Sequence, residues 1–172
     1  MRKDSAARSI SPGKYPAPGS LALAALVLLF LGGCASAPRD AGPPELRLGH
    51  DVCARCGMAI DEARFAAALV GQEEPRLFDD IGCLLESLRE QPPPSPTRLW
   101  VHDFASGEWV EAGAAYYVLG VRVATPMGYA LVAFAHREGA LALALEKGGK
   151  VCNFEEVSAR FRGPQSPRGG KP

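Results

Sequence analysis

Two kinds of hydrophobic pattern alternate along residues 46–162. Residues 65–70, Phe-Ala-Ala-Ala-Leu-Val, are a short apolar run closed by Gly71-Gln72-Glu73-Glu74-Pro75, and Arg76-Leu77-Phe78 reads as a second short strand. Ile81, Leu84, Leu85 and Leu88 then recur at helical spacing, which predicts a helix over 80–90 with Asp79 and Asp80 as N-cap candidates. Pro92-Pro93-Pro94-Ser95-Pro96 ends it. Residues 98–103 read as a strand, with Trp109-Val110-Glu111 as its neighbour across a Ser106-Gly107 turn. The order then repeats. Val121-Arg122-Val123 is strand-like, Thr125-Pro126-Met127-Gly128 is a turn, and Tyr129 to Ala135 is an apolar strand. Residues 137–147, rich in Ala, Leu and Glu, predict a helix stopped by Gly148-Gly149, and Lys150 to Phe154 is a last strand. The expected fold class is α+β, built from two small ββαβ units at about 46–105 and 106–158. The alternative is one mixed sheet without internal symmetry.

The first 45 residues follow neither pattern. Arg2, Lys3, Arg8 and Lys14 precede an unbroken apolar run at 21–31, Leu-Ala-Leu-Ala-Ala-Leu-Val-Leu-Leu-Phe-Leu. A helix of that length spans about 16 Å, roughly half of a ~30 Å bilayer core, so it is too short to cross a membrane. Its length and flanks are those of a signal-peptide apolar region. Leu31-Gly32-Gly33-Cys34 follows and resembles a bacterial lipobox, which makes residues 1–33 a leader and Cys34 the lipidated first residue of the mature chain. Ala rather than Asp at position 35 implies, by the same resemblance, an outer-membrane destination. Residues 34–45 have the composition of a tether and 163–172 that of a disordered tail.

Charge narrows the class. Of 172 residues, 19 are Lys or Arg and 19 are Asp or Glu, which excludes a strongly basic nucleic-acid binder. The leader holds four of the basic residues and one of the acidic, so the head is mildly acidic, 15 against 18. At 47% apolar and 22% charged, the whole chain has the composition of a globular protein.

Chemistry concentrates in soft donors. His50-Asp51-Val52-Cys53-Ala54-Arg55-Cys56-Gly57-Met58 carries two Cys at a spacing suited to a small disulfide, a metal chelate or redox exchange. Gly57 directly after Cys56, with no helical pattern around the pair, disfavours a thioredoxin-type motif. Thiolate and thioether together select Cu(I) over harder ions, and the sulfur donors of the head include Cys53, Cys56, Met58, Cys83 and Met127. Met58 and Met127 both sit beside Gly in turn-like surroundings rather than in a helical stripe.

These blocks resemble one family. Residues 51–60, DVCARCGMAI, look like the Cys-x-x-Cys-Gly-Met signature of the NosL family, and Phe78-Asp79-Asp80 with Cys83-Leu84 like its second block. Asp103, Trp109, Ala112, Ala115 and Tyr116 resemble its middle block, and Thr125 to Phe134 its late block. The resemblance covers about residues 46–145. It implies a lipid-anchored, periplasm-facing Cu(I)-binding lipoprotein, with palmitate among its acyl chains. Such a protein acts as a copper chaperone in the maturation of nitrous oxide reductase in denitrifying bacteria. It further implies transfer to a membrane copper-transporter assembly and its periplasmic partner, and a fold likened to that of the organomercury lyases. The implied ligands are Met127 with Cys56 or Cys53, and Met58 in support. His50, three residues before Cys53, is a candidate to complete the site. His102, in an apolar strand, reads as structural, and His136 as a solvated end group. Cys152 is expected to be a buried small apolar residue or a disulfide partner of Cys83.

Three other functions compete. An organomercury-lyase-like enzyme would use Cys53, Cys56 and Asp51 but gives the Pro-Met-Gly block no role. A structural zinc module would take Cys53, Cys56, Cys83 and Cys152, although only one Cys-x-x-Cys pair is present. A redox lipoprotein would use the Cys53/Cys56 pair alone. Metal identity and the importance of Met127 discriminate among them.

Overall fold

The computed structural model describes residues 42–71 and 73–163. The leader, Cys34, most of the tether and residues 164–172 lie outside the described residues. Strands β1 (Ala67–Val70), β2 (Arg76–Phe78), β3 (Arg98–His102) and β4 (Trp109–Glu111) form an antiparallel sheet in the order β2-β1-β3-β4. Helix α1 (Ile81–Glu90) connects β2 to β3. Strands β5 (Tyr116–Leu119), β6 (Leu131–Phe134) and β7 (Lys150–Cys152) form a second antiparallel sheet in the order β6-β5-β7, with helix α2 (Arg137–Lys147) between β6 and β7. The fold is α+β, and each half runs strand, strand, helix, strand with its first strand central.

Two assignments differ from the sequence reading. The first strand of the second half is Tyr116–Leu119, and Val121-Arg122-Val123 is a loop. The last strand stops at Cys152, because Asn153 opens a further helix, α3 (Phe154–Arg160). Asn153 Oδ1 accepts from the Glu156 N–H at 2.8 Å and the Asn153 N–H donates to Glu156 Oε2 at 3.2 Å, a reciprocal cap. The pairing of β4 with β3 is the one the sequence reading has, and it carries the first sheet on to Glu111.

The second sheet is buried on both faces, and the strand period of two sorts its side chains. Tyr117, Leu131 and Ala133 face one core, shared with Phe78, Leu84 and Val101 of the first half and with Val157 and Phe161 of α3 and its end. Val118, Val132 and Phe134 face the other, with Phe65 and Ala140 of α2. Backbone pairing also joins the halves: the Phe104 N–H donates to the Ala133 carbonyl at 2.8 Å beside an Asp103–Ala133 bridge. Helix α1 lies against β1 and β2 and also touches β6, so its N-terminus sits where the two halves meet. No helix of the described residues is long and apolar enough to cross a membrane.

Candidate metal centre

Residues 47–60 form a looped-back segment held by its own backbone hydrogen bonds around the cysteines. The Cys53 N–H donates to the Met58 carbonyl at 2.8 Å, the Gly57 N–H to the Cys53 carbonyl at 2.9 Å, and the Ile60 N–H to the Asp51 carbonyl at 2.9 Å. Gly57 closes this turn at φ +74°, a conformation that costs an ordinary residue and not glycine. The Ala54 N–H donates to the Leu77 carbonyl at 2.8 Å, which pins the turn to the end of β2. From the middle of the Cys-x-x-Cys motif, Arg55 reaches α1: Nη2 lies 2.5 Å from Glu86 Oε2 and Nη1 2.6 Å from Glu90 Oε2. The Tyr129 hydroxyl donates to the same Glu86 oxygen at 2.8 Å.

Strand β2 leads directly into α1 through two acidic residues. Asp80 is the N-cap: its Oδ1 accepts from the Gly82 N–H at 2.9 Å and its Oδ2 from the Met127 N–H at 3.1 Å. Asp79, 2% exposed, has both carboxylate oxygens buried without a hydrogen-bond partner among the described residues. It faces sulfur. One ligand atom from each of Cys53, Cys56, Asp79 and Cys83 lies within 4.8 Å of all the others. Cys53 and Cys83 are buried and Cys56 is half-buried, and all four described cysteines are free thiols.

The four groups ionise differently. The adjacent Cys83 thiol, helped by Asp79 and by backbone N–H groups, overcomes burial and lowers Cys53 to about 4. Of the three thiols, Cys53 is therefore the one that most favours the thiolate form. That thiolate, and then burial, push Cys83 far up. Burial raises Cys56 to about 11, and burial followed by the Cys53 thiolate raises Asp79. A thiophilic cation entering here displaces the protons held by the Cys56 and Cys83 thiols.

The remaining residues singled out from sequence fall as follows. Met127 lies in the expected Thr125–Gly128 turn, closed by the Gly128 N–H to the Thr125 carbonyl at 3.0 Å. It is partly buried against the same core as Cys53 and Cys83. Met58 is 50% exposed. His50 is exposed and is not a member of the four-residue cluster. His102 is buried, with Nδ1 2.7 Å from the Gly107 carbonyl and its ring 3.7 Å from that of Trp109. His136 is the exposed N-cap of α2. Cys152 is buried in β7, with weak contacts from Sγ to the Tyr117 and Lys150 carbonyls at 3.9 and 3.8 Å. It neither bonds Cys83 nor joins the cluster, which corrects both the disulfide reading and the four-cysteine zinc set. Asp79, in contrast, was read from sequence as a cap candidate and as part of a block resembling the family's second one, without a role at a metal. The signal available for it was the doubled acid, since one residue suffices for a cap.

The comparisons agree with this architecture. The crystal structure of the copper chaperone NosL from Shewanella denitrificans superposes with a TM-score of 0.56 at 23% identity, over 67% of this chain and 97% of that one. The copper-binding lipoprotein NosL of Stutzerimonas stutzeri is 38% identical over 68 residues, 35% of this chain. The aligned stretch spans 36% of that relative's length. The family model described as NosL matches residues 47–161, from the start of the cysteine segment through the end of α3, and the chain belongs to the NosL family.

Proposed function

We propose that this protein is a Cu(I) carrier, lipidated at Cys34 and facing the periplasm from the outer membrane, that supplies copper for the maturation of nitrous oxide reductase. The observation that carries the reading is the convergence of three thiols at one buried point, since thiolates favour Cu(I) over harder ions. Relatives named as a copper-binding lipoprotein and a copper chaperone support it. In this reading Cys53 and Cys56 supply thiolates and Met127 a thioether, with Met58 and His50 at the more exposed margin. Met127 is suited to the role by its tether: its N–H is held by Asp80, the residue after Asp79 and three before Cys83. A thioether is neutral and does not compete with protons, while a thiolate adds strength. A mixed set holds Cu(I) and still releases it by ligand exchange, first to a membrane copper-transporter assembly and its periplasmic partner and ultimately to nitrous oxide reductase. Nucleic acid has no part in this.

Competition titration against a Cu(I) chelator tests the assignment. Met127→Leu keeps volume and hydrophobicity while removing sulfur, so the fold survives with little change, and Cu(I) affinity drops. Circular dichroism is the folding control. A folded Met127→Leu variant with wild-type affinity refutes the role of Met127, and wild-type affinity in a folded Cys53→Ser/Cys56→Ser variant refutes the site.

A further inference from the structure

Helix α2 is apolar on two sides. Ala140, Leu143 and Ala144 face the second sheet and share a core with Val118, Val132 and Phe134. Leu141 and Leu145, one turn apart, face outward with exposed Ala142 beside them, and Leu145, at 88%, is the most exposed large apolar side chain of the described residues. The end of the helix that carries Leu145 is basic. The Arg122 N–H donates to the Lys147 carbonyl at 3.0 Å, and Lys150 opens β7 just past Gly148-Gly149, so three exposed bases, Arg122, Lys147 and Lys150, gather there. The acid among them, Glu146, is paired with Lys147 at 2.9 Å, and Glu138 lies in the first turn, at the other end of the helix. This corner is positive on a head that is mildly acidic overall.

Two leucines and an alanine on an 11-residue helix fall well short of the ~800 Å² that each partner buries in a stable protein interface, so a second copy of the chain does not fit. An apolar tip in a basic collar is instead the pattern of a helix that rests in the headgroup region of an anionic bilayer. Chain length brings such a bilayer within reach. Cys34, the proposed lipidated residue, precedes Gly42, where the described chain begins, by eight residues. However those residues run, they span at most about 28 Å, less than the width of roughly 35 Å expected of a domain of this size. An anchored head therefore stays against the membrane surface.

We infer that the C-terminal end of α2, with Leu141 and Leu145 collared by Arg122, Lys147 and Lys150, is a docking surface for the anionic phospholipid of the membrane that holds the anchor. This docking rests on the lipid-anchor reading of Cys34 and adds an orientation to it. Tyr117, Leu131 and Ala133 on one face of the second sheet share a core with Cys53 and Cys83, whereas α2 lies on the other face. A head docked through α2 thus carries its cysteine cluster on the side of that sheet away from lipid, open to a partner in the aqueous space. Few groups make the contact, so it orients a head that the anchor already holds and does not retain a head without one.

The test uses the full chain purified from membranes and reconstituted into vesicles of phosphatidylcholine brominated near the headgroup, with or without phosphatidylglycerol. Tryptophan fluorescence reports proximity to the bromines. The variants are Leu145→Trp and, as a control on the opposite side of the second sheet, Glu155→Trp at an exposed position of α3; the wild type supplies the background of Trp100 and Trp109. In vesicles containing phosphatidylglycerol, the Leu145→Trp emission is expected to shift to the blue and to be quenched, while the Glu155→Trp emission is not. Adding Arg122→Gln/Lys150→Gln to Leu145→Trp, or leaving out phosphatidylglycerol, reduces that quenching to about half or less, and so does high salt. Circular dichroism confirms that the variants fold. No quenching at position 145, equal quenching at both positions, or quenching indifferent to phosphatidylglycerol and to the two bases overturns the docking surface. Flotation and intact mass report the anchor separately. A lipidated chain that floats without quenching at position 145 keeps the anchor and overturns the docking surface. Quenching at position 145 of a chain without lipid supports the docking surface and overturns the anchor, and a chain that neither carries lipid nor is quenched overturns both.

Discussion

Asp79 and Asp80 are adjacent acidic residues with opposite surroundings. Asp80 satisfies one N–H in the first turn of α1 and another in the Met127 turn, so it joins two segments far apart in sequence. Its removal leaves two N–H groups without an acceptor. Asp80→Ala is expected to destabilise the metal-free protein by roughly 1–3 kcal/mol. Asp79 receives no backbone N–H or other geometric hydrogen bond and has only the clustered thiols about it, so Asp79→Asn should stay within about 1 kcal/mol of wild type. Urea unfolding in the presence of chelator and reductant measures both. A larger loss for Asp79→Asn than for Asp80→Ala would reverse the assignment of the two roles. Sequence placed both as cap candidates and could not choose between them, because the choice depends on which side chain turns toward Cys53, a contact across 26 residues.

His102 is a second residue whose neighbours decide its behaviour. Its Nδ1 donates to the Gly107 carbonyl, Nε2 is buried without a partner, and burial lowers its pKa below the usual 6.5. In the unfolded chain the imidazole takes a proton as pH falls through that usual value, while the folded chain resists it. The stability contributed by neutral His102 is therefore present above the unfolded pKa and is lost as pH falls toward the folded one. The urea midpoint of wild type should thus fall between pH about 7 and about 5 more steeply than that of His102→Asn, which keeps a donor for the carbonyl and does not titrate. Parallel profiles for the two proteins would exclude His102 as the source.

At the scale of elements, α1 is the piece on which the site depends. Its apolar face packs on the first sheet, its first turn carries Cys83, its later turns hold Arg55, and Gly82 lies against the ring of Tyr129 from the second half. A Cβ at Gly82 would overlap that ring, and the ring has little room to retreat, since its hydroxyl is bound to Glu86 and its other neighbour is Phe161, with centroids 5.3 Å apart. In an open helix Gly→Ala is favourable by up to ~1 kcal/mol. Here overpacking reverses the sign, and Gly82→Ala is expected to cost roughly 1–3 kcal/mol. Thermal unfolding followed by far-ultraviolet circular dichroism gives the answer, and a stabilised variant would mean the contact yields easily.

The elements that sequence made legible are those with local causes. Helix 137–147 and its Gly148 stop, the Thr125–Gly128 turn, and Trp109–Glu111 are set by neighbours in the chain, and the structure has them where expected. Strand β5 was missed because Tyr116, Tyr117, Val118 and Leu119 are all wholly or mostly buried, two on each face, so no polar alternation marks them. Helix α3 was missed because its apolar contribution is slight, chiefly Val157 with Phe161 just beyond its end. Asn153-x-x-Glu156 was the readable clue. The candidate site was half legible. The Cys-x-x-Cys turn and the Met127 turn stand out in the chain, but bringing Cys83 and Asp79 to Cys53 requires strand β2 to run beneath that turn, and no spacing rule states that.

For the molecule as a whole, the folded head and its address are separate problems. The head has its own shared core, and the proposed anchor residue, Cys34, lies outside the described residues, joined to the head by a short Pro- and Ala-rich stretch. Mass spectrometry of the membrane fraction should find the mature chain beginning at a Cys34 that carries more than one acyl chain, since a single chain binds a bilayer only marginally. A Cys34→Ala form should appear with the soluble fraction and retain the fold and thiol count of the head. An unprocessed N-terminus, or unmodified Cys34 on a protein free in the periplasm, would count against the anchor.

The unequal burial of the three clustered thiols also has a kinetic side. Nucleophilic attack by sulfur needs a thiolate that a reagent can touch. In this protein the two requirements are met by different residues: Cys53 is ionised but 2% exposed, and Cys56 is reachable but raised to about 11. The metal-free form should therefore be sluggish toward iodoacetamide at neutral pH, with Cys56 modified first and its rate climbing as pH rises toward its pKa, whereas the urea-unfolded chain reacts at once. Peptide mapping of timed samples checks the order. In an oxidising compartment, that sluggishness would lengthen the interval during which an empty carrier stays competent to be filled.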